Sequence, residues 1–154
     1  MLMNNGDFYV AGYGHASNTM NGLNSNSYST FTKYNSEAFG NETVKDIVPC
    51  STTSWIVLTE EGNIWGCGAS NDLGIGSTDS GHQVTPIKVY DKWDIVQITG
   101  GLEWFVAVTN EGKVYGTGSN QYGILGRWIG VDRDTPNSRY KTAFDWVECP
   151  ELEI

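Results

Sequence analysis

Basic residues are scarce in this chain. Of 154 residues only nine are Lys or Arg, against eighteen Asp or Glu, for a formal net charge of −9 at pH 7. So few cations exclude a surface that neutralises a phosphate backbone, and no direct nucleic-acid partner is expected. No apolar run approaches the roughly 20 residues that a membrane-spanning helix needs. The opening Met1-Leu2-Met3-Asn4-Asn5-Gly6 has neither the basic start nor the apolar stretch of a secretory signal. Histidine is confined to His15 and His82, and cysteine to Cys50, Cys67 and Cys149. None of these forms the close pairs of a zinc site, so neither metal nor cofactor is expected. Three separated thiols read as free cysteines, which suits a cytoplasmic or particle-enclosed setting better than a secreted one. No Ser/His/Asp or Cys/His set, phosphate loop or dinucleotide fingerprint stands in its motif context. The expectation is a protein that is not an enzyme.

Glycine and aromatic residues are plentiful instead, with 19 Gly, 6 Trp and 8 Tyr. They recur in register. Asn5-Gly6-Asp7-Phe8-Tyr9-Val10-Ala11-Gly12, Glu61-Gly62-Asn63-Ile64-Trp65-Gly66-Cys67-Gly68 and Glu111-Gly112-Lys113-Val114-Tyr115-Gly116-Thr117-Gly118 each place a Gly turn before an apolar-aromatic pair and a second Gly. Just upstream of the last two lie Trp55-Ile56-Val57-Leu58-Thr59 and Phe105-Val106-Ala107-Val108-Thr109. Strand, Gly-bearing turn and strand make a β-hairpin. Strands apolar on both faces predict a sheet held between two layers. A third string reads Asp46-Ile47-Val48-Pro49-Cys50, Asp94-Ile95-Val96-Gln97-Ile98-Thr99-Gly100 and Asp145-Trp146-Val147-Glu148-Cys149. It puts Cys50, Gly100 and Cys149 at nearly one repeat position, as small buried residues. Four short strands in about 50 residues, with no helical period, describe a β-propeller blade. The fold class is therefore all-β, a partial propeller of about three blades with four-stranded antiparallel sheets. It forms a single domain over 1–154, with repeats at about 3–58, 59–108 and 109–154.

The third copy continues as Ser119-Asn120-Gln121-Tyr122-Gly123-Ile124-Leu125-Gly126, and the second as Ala69-Ser70-Asn71-Asp72-Leu73-Gly74-Ile75-Gly76 before Pro86-Ile87-Lys88-Val89. This pattern resembles the repeat of the regulator of chromosome condensation family. The resemblance implies a propeller that typically closes with seven blades, of which this chain holds about three. It also implies a binding role shared by scaffolds, inhibitors and guanine-nucleotide exchange factors. The chain departs from the family pattern where a Gly-x-x-His usually precedes the inner strand. Ser51-Thr52-Thr53-Ser54 and Gly101-Leu102-Glu103-Trp104 stand there, so Ser54 and Trp104 replace the histidine.

Gly62, Gly68, Gly112, Gly118, Gly123 and Gly126 are expected to take positive φ at turns, with Asn71 and Asn120 capping backbone groups. The polar stretch from Tyr13 to Thr43 reads as a solvated excursion. Its functional reading is a contact surface of Tyr13, His15, Tyr28, Phe31 and Tyr34, because Tyr among Ser, Asn and Gly is the chemistry of adaptable binding loops. Trp104, Arg127 and Trp128 are further candidate contacts, since Trp and Arg in loops are hot-spot residues. The leading reading is a non-catalytic protein-interaction or assembly module. Its partner is another protein or further blades from other chains, in a homo-oligomer or a larger assembly. The alternatives are a structural component of a phage or virus particle, a fragment of an exchange factor, or a glycosidase-like propeller using Asp72, Asp79, Asp132 or Asp134.

Overall fold

The computed structural model describes residues 1–12, 28–34, 36–50, 54–70, 72–75, 81–91, 94–120, 123, 125–126 and 142–149. They form three antiparallel sheets in chain order. The N-terminal sheet pairs β1 (Tyr9–Gly12) with β2 (Tyr28–Lys33). A 3-10 turn, Ser36–Phe39, leads to the middle sheet. That sheet is β3 (Val44–Cys50), β4 (Ser54–Thr59), β5 (Ile64–Ala69) and β6 (His82–Tyr90), ordered β3-β4-β5-β6. The C-terminal sheet repeats this arrangement with β7 (Ile95–Gly101), β8 (Trp104–Thr109), β9 (Val114–Ser119) and β10 (Thr142–Glu148). These are the four-stranded antiparallel blades expected. Pro49 and Pro86 fall in β3 and β6, the two edge strands, where a missing N–H breaks no central ladder.

Register makes the sheets superposable. Val10 pairs with Thr32, Gly66 with Ile87, and Gly116 with Val147. Two residues later, Gly12 pairs with Tyr28, Gly68 with Gln83, and Gly118 with Ala143. The outer strand of every sheet thus carries the same bulge, two residues longer than its partner. The N-terminal sheet is therefore the outer half of a blade. An isolated bridge between Leu2 and Phe8 stands where Leu58 pairs with Ile64 in the middle sheet.

Two cores separate the three sheets. One, with Phe8, Tyr34, Phe39, Trp55, Val57 and Cys67, lies between the N-terminal and middle sheets. The other lies between the middle and C-terminal sheets. Ile56, Leu58, Ile64 and Leu73 meet Ile95, Ile98, Phe105, Ala107 and Tyr115 there. Strand β4 sends Trp55 and Val57 to one core and Ile56 and Leu58 to the other, so every residue of it is buried. This is the two-faced burial that its unbroken apolar run predicts. Strand β8 alternates instead. Phe105, Ala107 and Thr109 are buried, while Trp104, Val106 and Val108 are only partly so. A hydrogen bond from the Ile95 N–H to the Gly62 carbonyl, 3.4 Å, and one from Lys45 Nζ to the Val96 carbonyl, 3.3 Å, tie the middle sheet to the C-terminal one.

Three sequence expectations are corrected. The Asp-apolar-Val strings do not mark one position. Val44, not Ile47, shares the register of Ile95, since each pairs with the Thr that ends the next strand. Residues 145–149 lie at the end of the fourth strand of a sheet, not the first. Pairing of Val147 with Gly116 makes Cys149 the counterpart of Val89, not of Cys50. A string of three residues is too short to fix register, which ladder pairing sets. Finally, the polar stretch from Tyr13 to Thr43 is not all excursion, because it supplies β2 and the 3-10 turn.

Candidate protein-interaction surface

The turn between β7 and β8 is exposed and has a closely constrained backbone. Gly101-Leu102-Glu103-Trp104 makes the reversal in which Gly101 pairs with Trp104. Glu103 takes a left-handed φ of +63°. Leu102 at its apex is 70% exposed, the most exposed of the large apolar side chains described. The Trp104 ring lies over Gly101, where a Cβ would come within 2.6 Å of it. Gly118, at φ +90°, passes beneath the turn so closely that a Cβ would collide with the Glu103 carbonyl oxygen. That carbonyl accepts a 2.6 Å hydrogen bond from the Ser119 N–H. The neighbouring sheet supports the turn as well. Burial pushes the Cys50 thiol up to about 11 and the nearby Asp72 adds to this, against hydrogen bonds with the backbone of Glu103 and Trp104. Cys50 is thus a buried thiol packed under the turn.

The opposite end of the sheets is acidic. Glu60 and Glu61 in the β4–β5 turn, Asp91 and Asp94 between β6 and β7, and Glu111 in the β8–β9 turn are all exposed. Asp94 joins the two turns: its carbonyl accepts the Asn110 N–H at 2.9 Å, and its backbone packs on Gly62. Glu42 lies at the same end but has a different environment. Its carboxylate accepts hydrogen bonds from Thr59 Oγ1 at 2.8 Å, Asn63 Nδ2 at 3.0 Å, Trp65 Nε1 at 3.0 Å and Lys88 Nζ at 2.8 Å. Burial would raise its pKa. The bonds from Lys88, Trp65, Thr59 and Asn63 outweigh that and hold it at about 2. Lys88 also sits 5.3 Å from the Trp65 ring centre, a cation–π contact. Glu42 pins the connection after the 3-10 turn to the middle sheet. Sequence reading passed over it, because its four partners come together only when β4, β5 and β6 pair.

The sequence-derived candidates part company in the structure. Tyr34 is 3% exposed, stacked on Phe8 at 4.5 Å and on Phe39 at 5.1 Å, so it belongs to a core and not to a contact surface. Phe31 is 62% exposed on β2, far from Trp104 in the order of sheets. Tyr13, His15, Arg127, Trp128, the Tyr28 side chain and the turn residue Asn71 lie outside the described residues, as do Asp79, Asp132 and Asp134. The six glycines have φ between +67° and +116°. Asn120 Oδ1 accepts the Leu125 N–H at 3.0 Å. This bond holds the turn that sets Leu125 against Gly116, as Leu73 is set against Gly66. Asp72 is buried and accepts the Ser54 hydroxyl at 2.7 Å. The Ser54 oxygen in turn accepts the Ala69 N–H at 3.1 Å, so this pair closes the end of the blade. Among the described residues no group of three His, Cys, Asp or Glu could hold a metal ion, and no helix is long and apolar enough to cross a membrane. Two shallow grooves of about 240 and 350 Å³ flank Leu2 and Met3. Both are open to solvent.

Comparison with known proteins agrees with this architecture. Residues 95–124 match the regulator of chromosome condensation (RCC1) repeat. The chain is 30% identical over 133 residues, 85% of its length, to the ultraviolet-B receptor UVR8 of Arabidopsis thaliana, and covers 28% of that protein. It is 36% identical over 72 residues, 46% of its length, to the secretion-regulating guanine nucleotide exchange factor of Bos taurus, covering 16% of it. The chain therefore spans less than a third of these curated relatives. Among solved structures, human WBSCR16 superposes with a TM-score of 0.71 at 22% identity, over 96% of this chain and 34% of that one. Prp20p from Saccharomyces cerevisiae superposes with a TM-score of 0.64 at 12% identity, over 94% and 34%.

Proposed function

Because this chain belongs to the RCC1-repeat family, we propose that it is a non-catalytic module that binds another protein through the β7–β8 turn. Fold alone does not choose a partner, so the reading rests on the site. The observation that carries it is the Leu102–Trp104 turn. There an exposed leucine and a partly exposed tryptophan are held in one backbone shape by Gly118 below and Cys50 beside. An apolar group fixed before binding loses little freedom on binding, which favours affinity. Relatives of the same fold bind proteins. The yeast Prp20p structure is described together with binding to Gsp1p and histones, and yeast RCC1 (Prp20) has been solved bound to Kap60. The acidic opposite end and the net charge of −9 favour a protein over a nucleic acid as the partner. Nothing in the plant, cattle and yeast relatives supports the virus-particle alternative.

The test compares the tagged chain with its Leu102→Glu variant by quantitative affinity purification from the source cells. The expected result is at least one protein recovered with the wild type and depleted about tenfold or more with the variant. The same protein should come through unchanged with Glu61→Lys at the other end. Equal recovery with Leu102→Glu would move the binding surface elsewhere.

A further inference from the structure

We infer that copies of this chain associate head to tail, the outer face of the N-terminal sheet of one seated on the outer face of the C-terminal sheet of the next. Register shows what each face lacks. Val106, Val108 and Val114 occupy the positions of Ile56, Leu58 and Ile64. Those three are 0% exposed beneath the C-terminal sheet, whereas the three valines are only partly buried. Cys149 beside them occupies the position of Val89, which is buried in the same core. The C-terminal sheet therefore presents the aliphatic half of an interface that the middle sheet already makes beneath the C-terminal one.

The other half stands at the far end. In the internal interface the covering face is aromatic, and Tyr115 and Trp146 belong to its core. Trp146 is 9% exposed and packs 5.9 Å from the Tyr90 ring. In the N-terminal sheet Tyr9 pairs with Lys33 as Tyr115 pairs with Glu148. Phe31, one residue before Thr32, takes the place of Trp146, one residue before Val147. Alternation along the strands turns Tyr9 and Phe31 away from Phe8, Val10 and Tyr34, which pack towards the middle sheet. Phe31 is left 62% exposed. A surface phenylalanine at the register of a buried tryptophan is an aromatic knob with no seat among the described residues. The valine face is a seat with no knob. Joining them continues an interface already present between the middle and C-terminal sheets. Two valine faces set against each other would leave no aromatic between them. The contact is heterologous, so it repeats into a ring or a filament.

Sedimentation of the full 154-residue chain over a dilution series tests this, with Phe31→Glu, Val108→Glu and an equimolar mixture of the two. The wild type is expected to gain mass with concentration. Each variant is expected to stay monomeric over that range, its association weakened about tenfold or more. The mixture is expected to stop at a dimer, because only one intact knob and one intact seat remain. Phe31→Ser and Val108→Thr repeat the test with smaller changes should either charged variant fail to fold by circular dichroism. A wild type that is monomeric throughout would overturn the inference and leave the face to blades of another chain. Association that survives Phe31→Glu but not Val108→Glu would overturn it in favour of valine faces meeting each other. These variants leave Leu102 untouched. A monomer whose partner is still lost with Leu102→Glu would therefore sink this inference and keep the binding module.

Discussion

Replacing Glu42 with alanine is expected to lower the stability of the chain by about 3 kcal/mol, measured by urea unfolding. The carboxylate is the common acceptor for Thr59, Asn63, Trp65 and Lys88. Its removal takes the shared acceptor from four donors, three of them part-buried, so the loss exceeds that of an exposed ion pair. Burial opposes the ionised form of Glu42, and the four hydrogen bonds overcome it to hold the pKa at about 2, below the ordinary 4.5. A depressed carboxylate pKa stabilises the fold fully above the unfolded value and loses that contribution as the pH falls through the folded one. The wild type should therefore lose stability between about pH 4.5 and pH 2. Glu42→Gln should be less stable at neutral pH and flatter across that window. A variant whose acid limb matches the wild type would assign the acid sensitivity to other carboxylates.

The second large effect concerns backbone approach and not charge. Gly118→Ala is expected to cost about 3–4 kcal/mol and lower the melting temperature by roughly 10 °C. Gly118 has φ +90°, and a Cβ there would meet the Glu103 carbonyl oxygen and, at 2.8 Å, the Trp104 Cα. Both are backbone atoms of the turn that carries Leu102, and neither can rotate aside. Gly112 supplies the control. Its φ is +83° and nothing lies within 4 Å of a Cβ built on it. Gly112→Ala should therefore cost about 1 kcal/mol, the conformational part alone. The difference between the two variants measures how tightly β9 is pressed against the β7–β8 turn. Equal losses would mean that this approach is not what constrains the turn.

What the sequence made legible depended on how far each signal extended. Repeats with Gly at both ends of an apolar-aromatic pair located β1, β5 and β9, because three copies in register leave little freedom. The unbroken apolar run from Trp55 to Leu58 correctly implied burial on both faces, since β4 faces a core on each side. The short Asp-led strings misled, because register belongs to the pairing and not to three residues. Tyr34 looked like a binding residue only because its neighbours are polar. It lies one residue past β2, where the chain turns it between Phe8 and Phe39. Glu42 and Leu102 carried no local signal. The first is defined by four partners from three strands and the β4–β5 turn, and the second by the exposure of one turn.

The stacking of the sheets and the head-to-tail contact depend on one arrangement, in which Ile56, Leu58 and Ile64 of the middle sheet lie beneath the C-terminal sheet and the valines of β8 and β9 do not lie beneath any described sheet. Nuclear Overhauser spectroscopy on the methyl-labelled chain reads this directly, at a concentration low enough to keep it monomeric. The account predicts cross-peaks from the Ile56, Leu58 and Ile64 methyls to the rings of Phe105, Tyr115 and Trp146, with none from Val108 or Val114 to the ring of Tyr115 or Trp146. Contacts from those valines to these rings, with the middle-sheet methyls silent, would invert the faces of the C-terminal sheet and contradict the account.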